Sequence, residues 1–252
     1  MISAKELYDY IDSFAPFESA MDFDNVGILV GDPDCTSRKV LLALDVTTAV
    51  IDEAVAKGCT IIVTHHPVIF HPLKSVLSDS FPYRLIQNGL TVLSAHTNLD
   101  ICEGGVNDTL ARTIGLELTE RTDKDCFVTG ELCEAVDFTN FAEKIQYVLG
   151  CKGFRFTGRN GLIKRVSVAC GAGGGSIFRA VKEKADAFVT GEIKHHEWLA
   201  AREHNIAVYD LGHFRSEDMI IAALVQRLSA QFPDTVFEKA EADTEEILYY
   251  HA

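Results

Sequence analysis

Residues 39–67, KVLLALDVTTAVIDEAVAKGCTIIVTHHP, contain the pattern that decides the fold. The run VLLALDV is almost continuously apolar, which is typical of a strand buried on both faces of a parallel sheet. The segment TAVIDEAVAK has helical spacing and ends at Gly58, and TIIVTHH has the composition of a second strand. A further helix in SFPYRLIQNG and a third strand in LTVLSAH continue the alternation. We therefore predict an α/β fold with βαβ units around a mostly parallel sheet.

The same pattern returns 126 residues later without a gap. The identical pairs include Val40 with Val166, Ala54 with Ala180 and Thr64 with Thr190. These identities could arise by chance, because parallel βαβ units share a similar composition. Alternatively, they indicate an internal repeat. The repeat is favoured because each copy ends in a histidine-rich segment just past a strand, THHP or TGEIKHHE. We predict two pseudo-symmetric βαβ lobes facing each other across a metal-binding cleft, with 1–124 as the first lobe, 125–162 as a connecting α/β segment and 163–252 as the second lobe.

The composition restricts the classes of partner and the compartment. With 252 residues and a net charge of −14, the chain lacks the lysine and arginine excess that a general nucleic-acid surface needs. No apolar stretch reaches the ~20 residues that span a bilayer, and MISAKELYDY resembles no secretory signal. The seven cysteines form no C-x-x-C pair, which argues for reduced thiols and against a thiolate zinc site. We expect a cytoplasmic protein without a membrane partner.

The adjacent histidines His65 and His66 are the first candidates for metal binding. Neighbouring side chains on an extended backbone point to opposite sides, and Pro67 favours an extended His66. One metal ion would then suit both rings poorly, whereas two ions, or an ion and a substrate, would fit. The alternative is that both are ordinary loop histidines.

Two further strand ends carry a histidine followed four residues later by a carboxylate. In SAHTNLD, Asp100 is a candidate ligand in a loop, and His96 either binds metal or orients a ligand. In LGHFRSE, His213 lies at the strand exit and Glu217 in the first turn of a helix, for which Ser216 is the expected N-cap. Glu217 could bridge two cations, or it could only complement the helix dipole.

Taken together, imidazole and carboxylate donors at three strand ends predict a metal centre. This mixture suits zinc, iron or manganese rather than calcium. Two such ions ~3.5–4 Å apart can activate a water molecule near neutral pH. We predict two divalent transition-metal ions per chain.

Two weaker signals follow the second copy of the repeat. The segment CGAGGGS could bind an anion through Gly171, Gly173 and Gly174, or the glycines could serve tight turning alone. Glu192 occupies the position of His66 in the repeat and is a candidate for acid–base catalysis; otherwise it caps a helix that begins near Ile193. The pair 195–196 (HH) is expected on that helix, with one ring towards the cleft.

The motifs DNVGILVGD, THHPVIF, SAHTNLD, CGAGGG, TGEIKHH and LGHFRSE together resemble the Nif-three-like (YbgI) family of dinuclear metal-binding proteins, often labelled GTP cyclohydrolase I type 2 homologues. The resemblance implies metal ligands at His65, His66, Asp100, His213 and Glu217. It also implies a homohexameric ring. One hypothesis is a metal-dependent hydrolase acting on a C–N bond of a small, nucleotide-like substrate, with Glu192 and His96 moving protons. The alternative is a non-catalytic metal-handling or regulatory ring protein.

Overall fold

The chain folds into two compact units. The computed structural model describes residues 1–121, 125–245 and 247. Unit 1 consists of Met1–Glu103 and Ile220–Thr244, and unit 2 of Gly104–Met219 with the described residues that follow Thr244. The chain therefore leaves unit 1 after its first hundred or so residues and returns to it near the C-terminus.

Helices and strands alternate through both units. The first part of unit 1 contains, in chain order, β1 (Ile2–Ser3), α1 (Ala4–Phe14), β2 (Gly27–Val30), β3 (Thr36–Ser37), β4 (Lys39–Ala43), α2 (Thr48–Lys57), β5 (Ile61–Thr64), α3 (Phe81–Gln87), β6 (Thr91–Ser94) and α4 (Thr97–Ile101). Unit 2 contains α5 (Val106–Thr113), β7 (Leu116–Arg121), β8 (Val128–Val136), α6 (Phe138–Leu149), β9 (Arg155–Thr157), β10 (Ile163–Ala169), α7 (Ile177–Lys182), β11 (Ala187–Thr190), α8 (His195–Glu203), β12 (Ala207–Asp210) and α9 (His213–Glu217). The chain returns to unit 1 through α10 (Met219–Gln231) and β13 (Val236–Lys239).

Each unit is built around one mixed sheet. In unit 1 the strand order is β13-β4-β5-β6-β2, with β2 antiparallel to β6 and the other neighbours parallel. In unit 2 the order is β7-β8-β10-β11-β12-β9, and β10, β11 and β12 are parallel. The three remaining pairings, β7 with β8, β8 with β10 and β12 with β9, are antiparallel. The predicted mixed α/β class is confirmed.

The internal repeat is visible in the strand registers. In unit 1, Val40 lies opposite Ile61, and in unit 2 Val166 lies opposite Ala187. The offset of 126 positions that aligns the sequences also aligns these partners. An antiparallel strand then closes one side of each parallel trio, β2 beside β6 and β9 beside β12. Chance similarity of composition does not require equal registers, so the repeat is structural.

The two units divide the chain differently from the predicted boundaries. The 125–162 segment is part of the unit 2 sheet, because β8 pairs with β10 and β9 with β12. Residues 220–244 belong to unit 1, because β13 adds in parallel to β4. The boundary placed after residue 124 adjoins 122–124, which lie outside the described residues. Sequence order is a poor guide here because edge strands join from distant parts of the chain.

The helix ends follow the expected capping chemistry. The Ser3 hydroxyl accepts the Glu6 N–H at 3.1 Å, and the Glu6 carboxylate accepts the Ser3 N–H at 2.8 Å. This reciprocal pair starts α1, which buries Leu7 and Ile11. Gly58 ends α2 in the left-handed conformation that glycine adopts most easily. Among the helices of the described residues, none is long and apolar enough to cross a membrane.

Candidate metal centre

The carboxyl end of β5 positions the two adjacent histidines of unit 1. All four residues of β5 are buried, and the ladder continues beyond it. The His65 N–H donates to Ala43 O at 3.2 Å and the His66 N–H to Leu44 O at 2.8 Å. The Thr64 hydroxyl then donates to His66 O at 2.9 Å and bends the chain. The histidines are thus fixed to the buried core of the sheet.

The bend brings the two rings together rather than separating them. The ring centroids of His65 and His66 are 4.9 Å apart, and that of His96 is 5.1 Å and 5.6 Å from them. One ligand atom from each of the three imidazoles lies within 4.8 Å of the others. The expectation that His65 and His66 point to opposite sides is therefore wrong, because the backbone is not extended at this point. These three rings can approach one metal ion.

An oxygen atom contacts Nδ1 of each of the three imidazoles. The distance is 3.0 Å from His65 Nδ1 to Ala95 O, 2.9 Å from His66 Nδ1 to Asp45 Oδ1, and 2.8 Å from His96 Nδ1 to Asp24 Oδ1. A carbonyl or ionised carboxylate only accepts, so these contacts assign the proton to Nδ1. In the neutral rings Nε2 then carries the lone pair. Histidine ligands in metal sites are commonly oriented in this way.

Asp100 lies beside His65 on α4, not in the predicted loop. Its N–H donates to His96 O at 3.0 Å, so the strand exit turns directly into a short helix. Asp100 Oδ1 is 3.5 Å from His65 Nε2. With Nδ1 protonated, a neutral His65 directs its lone pair towards a carboxylate oxygen. Two electron-rich atoms at this distance favour a cation, either a metal ion or a proton on the ring. The donor chemistry of unit 1 thus fits a divalent metal.

Asp24 holds His96 in place from a distant part of the chain. Its buried carboxylate accepts from His96 Nδ1, from Thr97 N at 3.0 Å and from the Thr97 hydroxyl at 2.5 Å. Burial opposes ionisation, but the hydrogen bonds from His96 and Thr97 outweigh it and hold the pKa of Asp24 at about 2. The carboxylate therefore stays ionised and keeps the proton on His96 Nδ1.

Unit 2 contributes a histidine–glutamate pair from a single helical turn. Gly212, at φ +82°, lets the chain turn from β12 into α9. The i, i+4 spacing then places His213 Nε2 3.2 Å from Glu217 Oε2. Glu217 is only 3% exposed, so its carboxylate is buried beside the His213 ring. An imidazole and a carboxylate at this distance can share a metal ion or a proton.

The chain matches one family model over almost its whole length. The model for Duf34/NIF3 (NGG1p interacting factor 3) covers residues 2–246. The chain belongs to the Duf34/NIF3 family. It is 31% identical over 240 residues to a Clostridium acetobutylicum protein named GTP cyclohydrolase 1 type 2 homolog, covering 90% of each chain. It is 30% identical over 229 residues to a Methanocaldococcus jannaschii protein of the same name, covering 86% of this chain and 90% of that one.

Two solved structures share the fold of this chain. The Staphylococcus aureus protein SA1388 has a TM-score of 0.92 to this chain at 28% identity, covering 98% of this chain and 99% of that one. A protein named ybgI has a TM-score of 0.86 at 25% identity, covering 95% and 98%. The resemblance found from the motifs is thus confirmed.

In this Duf34/NIF3 chain, Ser216 does not act as the predicted N-cap. The helical turn begins at His213, three residues earlier, and Ser216 lies buried within it. Its hydroxyl donates to His213 O at 2.8 Å and accepts the Gly171 N–H at 2.9 Å. Ser216 therefore joins the glycine-rich loop to the turn that carries His213 and Glu217.

The glycine-rich loop packs closely against acidic side chains. A Cβ atom on Gly171 would lie 2.2 Å from Glu217 Oε1, and one on Gly174 would lie 2.6 Å from Glu197 Oε2. A Cβ on Gly173 would lie 2.7 Å from the Ala169 side chain. Close packing alone accounts for these three glycines. Two neighbouring carboxylates would also repel phosphate, so the geometry gives no support to the predicted anion site.

Glu192 contacts a proposed metal ligand instead of capping a helix. Its Oε1 lies 2.8 Å from His213 Nδ1. The helix that follows begins at His195, and Glu197 accepts the Lys194 N–H at its start. Glu192 thus holds His213 as Asp24 holds His96. The histidines at 195 and 196 begin α8 as expected, and both are exposed.

Proposed function

We propose that this chain binds two divalent transition-metal ions through His65, His66, Asp100, His213 and Glu217. The observation that carries the proposal is that each unit brings an imidazole and a carboxylate together: His65 Nε2 lies 3.5 Å from Asp100 Oδ1, and His213 Nε2 lies 3.2 Å from Glu217 Oε2. The five proposed ligands exceed the four that a closed tetrahedral site takes, which favours two ions. Zinc, iron and manganese suit these donors.

The reaction class we propose is metal-dependent hydrolysis of a C–N bond in a nucleotide-like substrate. Bound ions of this kind polarise the attacked group and lower the pKa of a water molecule towards ~7. The chain's own residues orient ligands and hold protons. Asp24 holds a proton at His96 Nδ1, and Glu192 holds one at His213 Nδ1, so both pairs are candidates for proton transfer. The name shared by the Clostridium and Methanocaldococcus relatives supports a purine nucleotide as the first substrate to test.

The test is an activity screen on metal-loaded protein with nucleotides, cyclic amides and phosphoesters, with Glu217→Ala as the control. We expect turnover of a C–N substrate that requires metal and is lost in Glu217→Ala. Metal-loaded protein that turns over none of these classes would contradict the hydrolase and favour the metal-handling alternative. Turnover that survives in Glu217→Ala would remove Glu217 from the site.

A further inference from the structure

A cavity lies in unit 2 near the amino ends of β10 and β11, whereas His213 follows the carboxyl end of the neighbouring β12. Its volume is about 950 Å³, within the range of small-molecule sites. Seven of the described residues line it, and four of these are cationic: Arg165, Arg179, Lys182 and Lys184. In a chain with a net charge of −14, this is a local concentration of positive charge. The cavity therefore favours an anionic ligand.

Two of the cations are held rigidly. The Arg179 guanidinium donates to Glu183 Oε1 at 3.1 Å and to Asp125 Oδ2 at 2.6 Å, and it lies 4.3 Å from the centre of the Phe127 ring. Arg165 Nε donates to the Glu183 carbonyl at 2.9 Å. Fixed guanidinium groups lose little freedom when they bind an anion, and they match phosphate better than mobile lysines do.

Lys184 has a backbone conformation that is unusual for its residue type. Its φ is +56°, and among the described residues only Asn205 is a second non-glycine with positive φ. Lys184 follows Glu183, the C-cap of α7, and so occupies the position where helices commonly take glycine. A lysine in this conformation costs free energy that a glycine would save. The Lys184 side chain lines the cavity, and a role in ligand binding there would offset the backbone strain.

The remaining lining suggests the rest of the ligand. The Phe178 ring is 56% exposed and lines the same cavity. Aromatic faces of this kind stack on planar bases. Among the described residues, Asp125 and Glu183 are the two carboxylates of the lining, which leaves it a net +2; Glu131, outside the lining, lies 3.8 Å from Arg165. That charge matches the ~−2 of a phosphate monoester at neutral pH.

We propose that this cavity binds a nucleoside monophosphate, with the phosphate between Lys182, Lys184 and the two arginines and the base on Phe178. This site does not depend on the metal centre or on the hydrolase activity. Its volume is larger than a free phosphate needs, and its cations exceed what an uncharged nucleoside needs.

The experiment is isothermal titration of the full chain, before and after chelator treatment, with GMP, guanosine, ribose 5-phosphate and inorganic phosphate. We expect saturable GMP binding that chelator leaves unchanged and that is tighter than for the other three. Lys184→Gly relieves the backbone strain while removing the charge. It should bind GMP at least ~5-fold more weakly and melt no lower than the wild type. Lys152→Gln, an exposed lysine elsewhere in unit 2, is the matched control.

Phe178→Leu should bind GMP at least ~5-fold more weakly and should bind inorganic phosphate with unchanged affinity. The proposal would be overturned by no saturable binding of GMP, by unchanged GMP affinity in Lys184→Gly, by guanosine, ribose 5-phosphate or inorganic phosphate binding as tightly as GMP, or by binding that disappears with chelator. The last would assign the phosphate to the metal centre. A short RNA that binds much more tightly than GMP would also contradict a monophosphate site.

Discussion

Replacing Glu192 with alanine should weaken metal binding without unfolding unit 2. In the wild type, Glu192 Oε1 accepts the His213 Nδ1 proton at 2.8 Å, and Nε2 on the other side of the ring lies 3.2 Å from Glu217 Oε2. Without Glu192 Oε1, the His213 ring can rotate, and its proton can move from Nδ1 to Nε2. Partners that orient a ligand are worth ~10–100-fold in metal affinity, which is about 1.4–2.8 kcal/mol. The Glu192 side chain is 58% exposed, so solvent screening favours the lower end.

The assay is zinc titration against a competing chelator, with the melting temperature of the metal-free protein measured in parallel. Glu192→Gln should lie between the wild type and Glu192→Ala, because an amide oxygen still accepts the His213 proton but carries no charge. Glu203→Ala removes a 71% exposed glutamate of the same unit and should bind zinc as the wild type does. Unchanged zinc affinity in Glu192→Ala would refute the positioning role. If Glu192→Ala bound zinc as the wild type does but had lost turnover, the result would instead support Glu192 as a general acid or base.

Three further substitutions test the packing of two glycines and the ionisation of one carboxylate. Gly171→Ala should reduce metal content, because its Cβ would lie 2.2 Å from Glu217 Oε1. Gly58→Ala is the control: Gly58 also has a positive φ but no atom within 4 Å of its added Cβ, so this variant should lose about 1 kcal/mol of stability and keep the metal. Equal metal loss in the two variants would contradict this prediction. Glu53→Gln should lower the unfolding free energy at pH 7 by about 1–2 kcal/mol. Burial opposes ionisation of Glu53, but hydrogen bonds from Lys57 and two backbone N–H groups lower its pKa from 4.5. Urea unfolding at several pH values should show that the wild type is more stable than Glu53→Gln above about pH 4.5 and that this difference in unfolding free energy declines at lower pH. A difference that does not change with pH would contradict the lowered pKa of Glu53.

Local sequence signals predicted the elements of this fold well. The Ser3–Glu6 box, the Gly58 helix end and the βαβ alternation depend on neighbours within a few residues, so they are readable from the chain. The repeat at an offset of 126 was also readable, and the strand registers of the two units agree with it. What the sequence did not reveal was that β13 joins β4. Edge strands are chosen by tertiary contacts, and no local pattern records the choice.

The candidate site shows the same limit. The histidines and carboxylates were found from strand ends and spacing, but the groups that orient them were not. Asp24 lies 72 residues from His96 in sequence, and Asp45 lies 21 residues from His66. DNVGILVGD was recognisable as a motif, yet nothing in its residues indicated that Asp24 would hold a histidine. Such partners follow from the packing of loops at one sheet edge.

The central claim is that this chain binds metal, and elemental analysis tests it most directly. Protein purified without chelator and then loaded gently with zinc, iron or manganese should carry about two ions per chain. A variant with His65, His66 and His213 all replaced by alanine should carry almost none, while circular dichroism reports the same helix and strand content. A wild-type stoichiometry near zero after loading, or equal metal in the triple variant, would contradict the account.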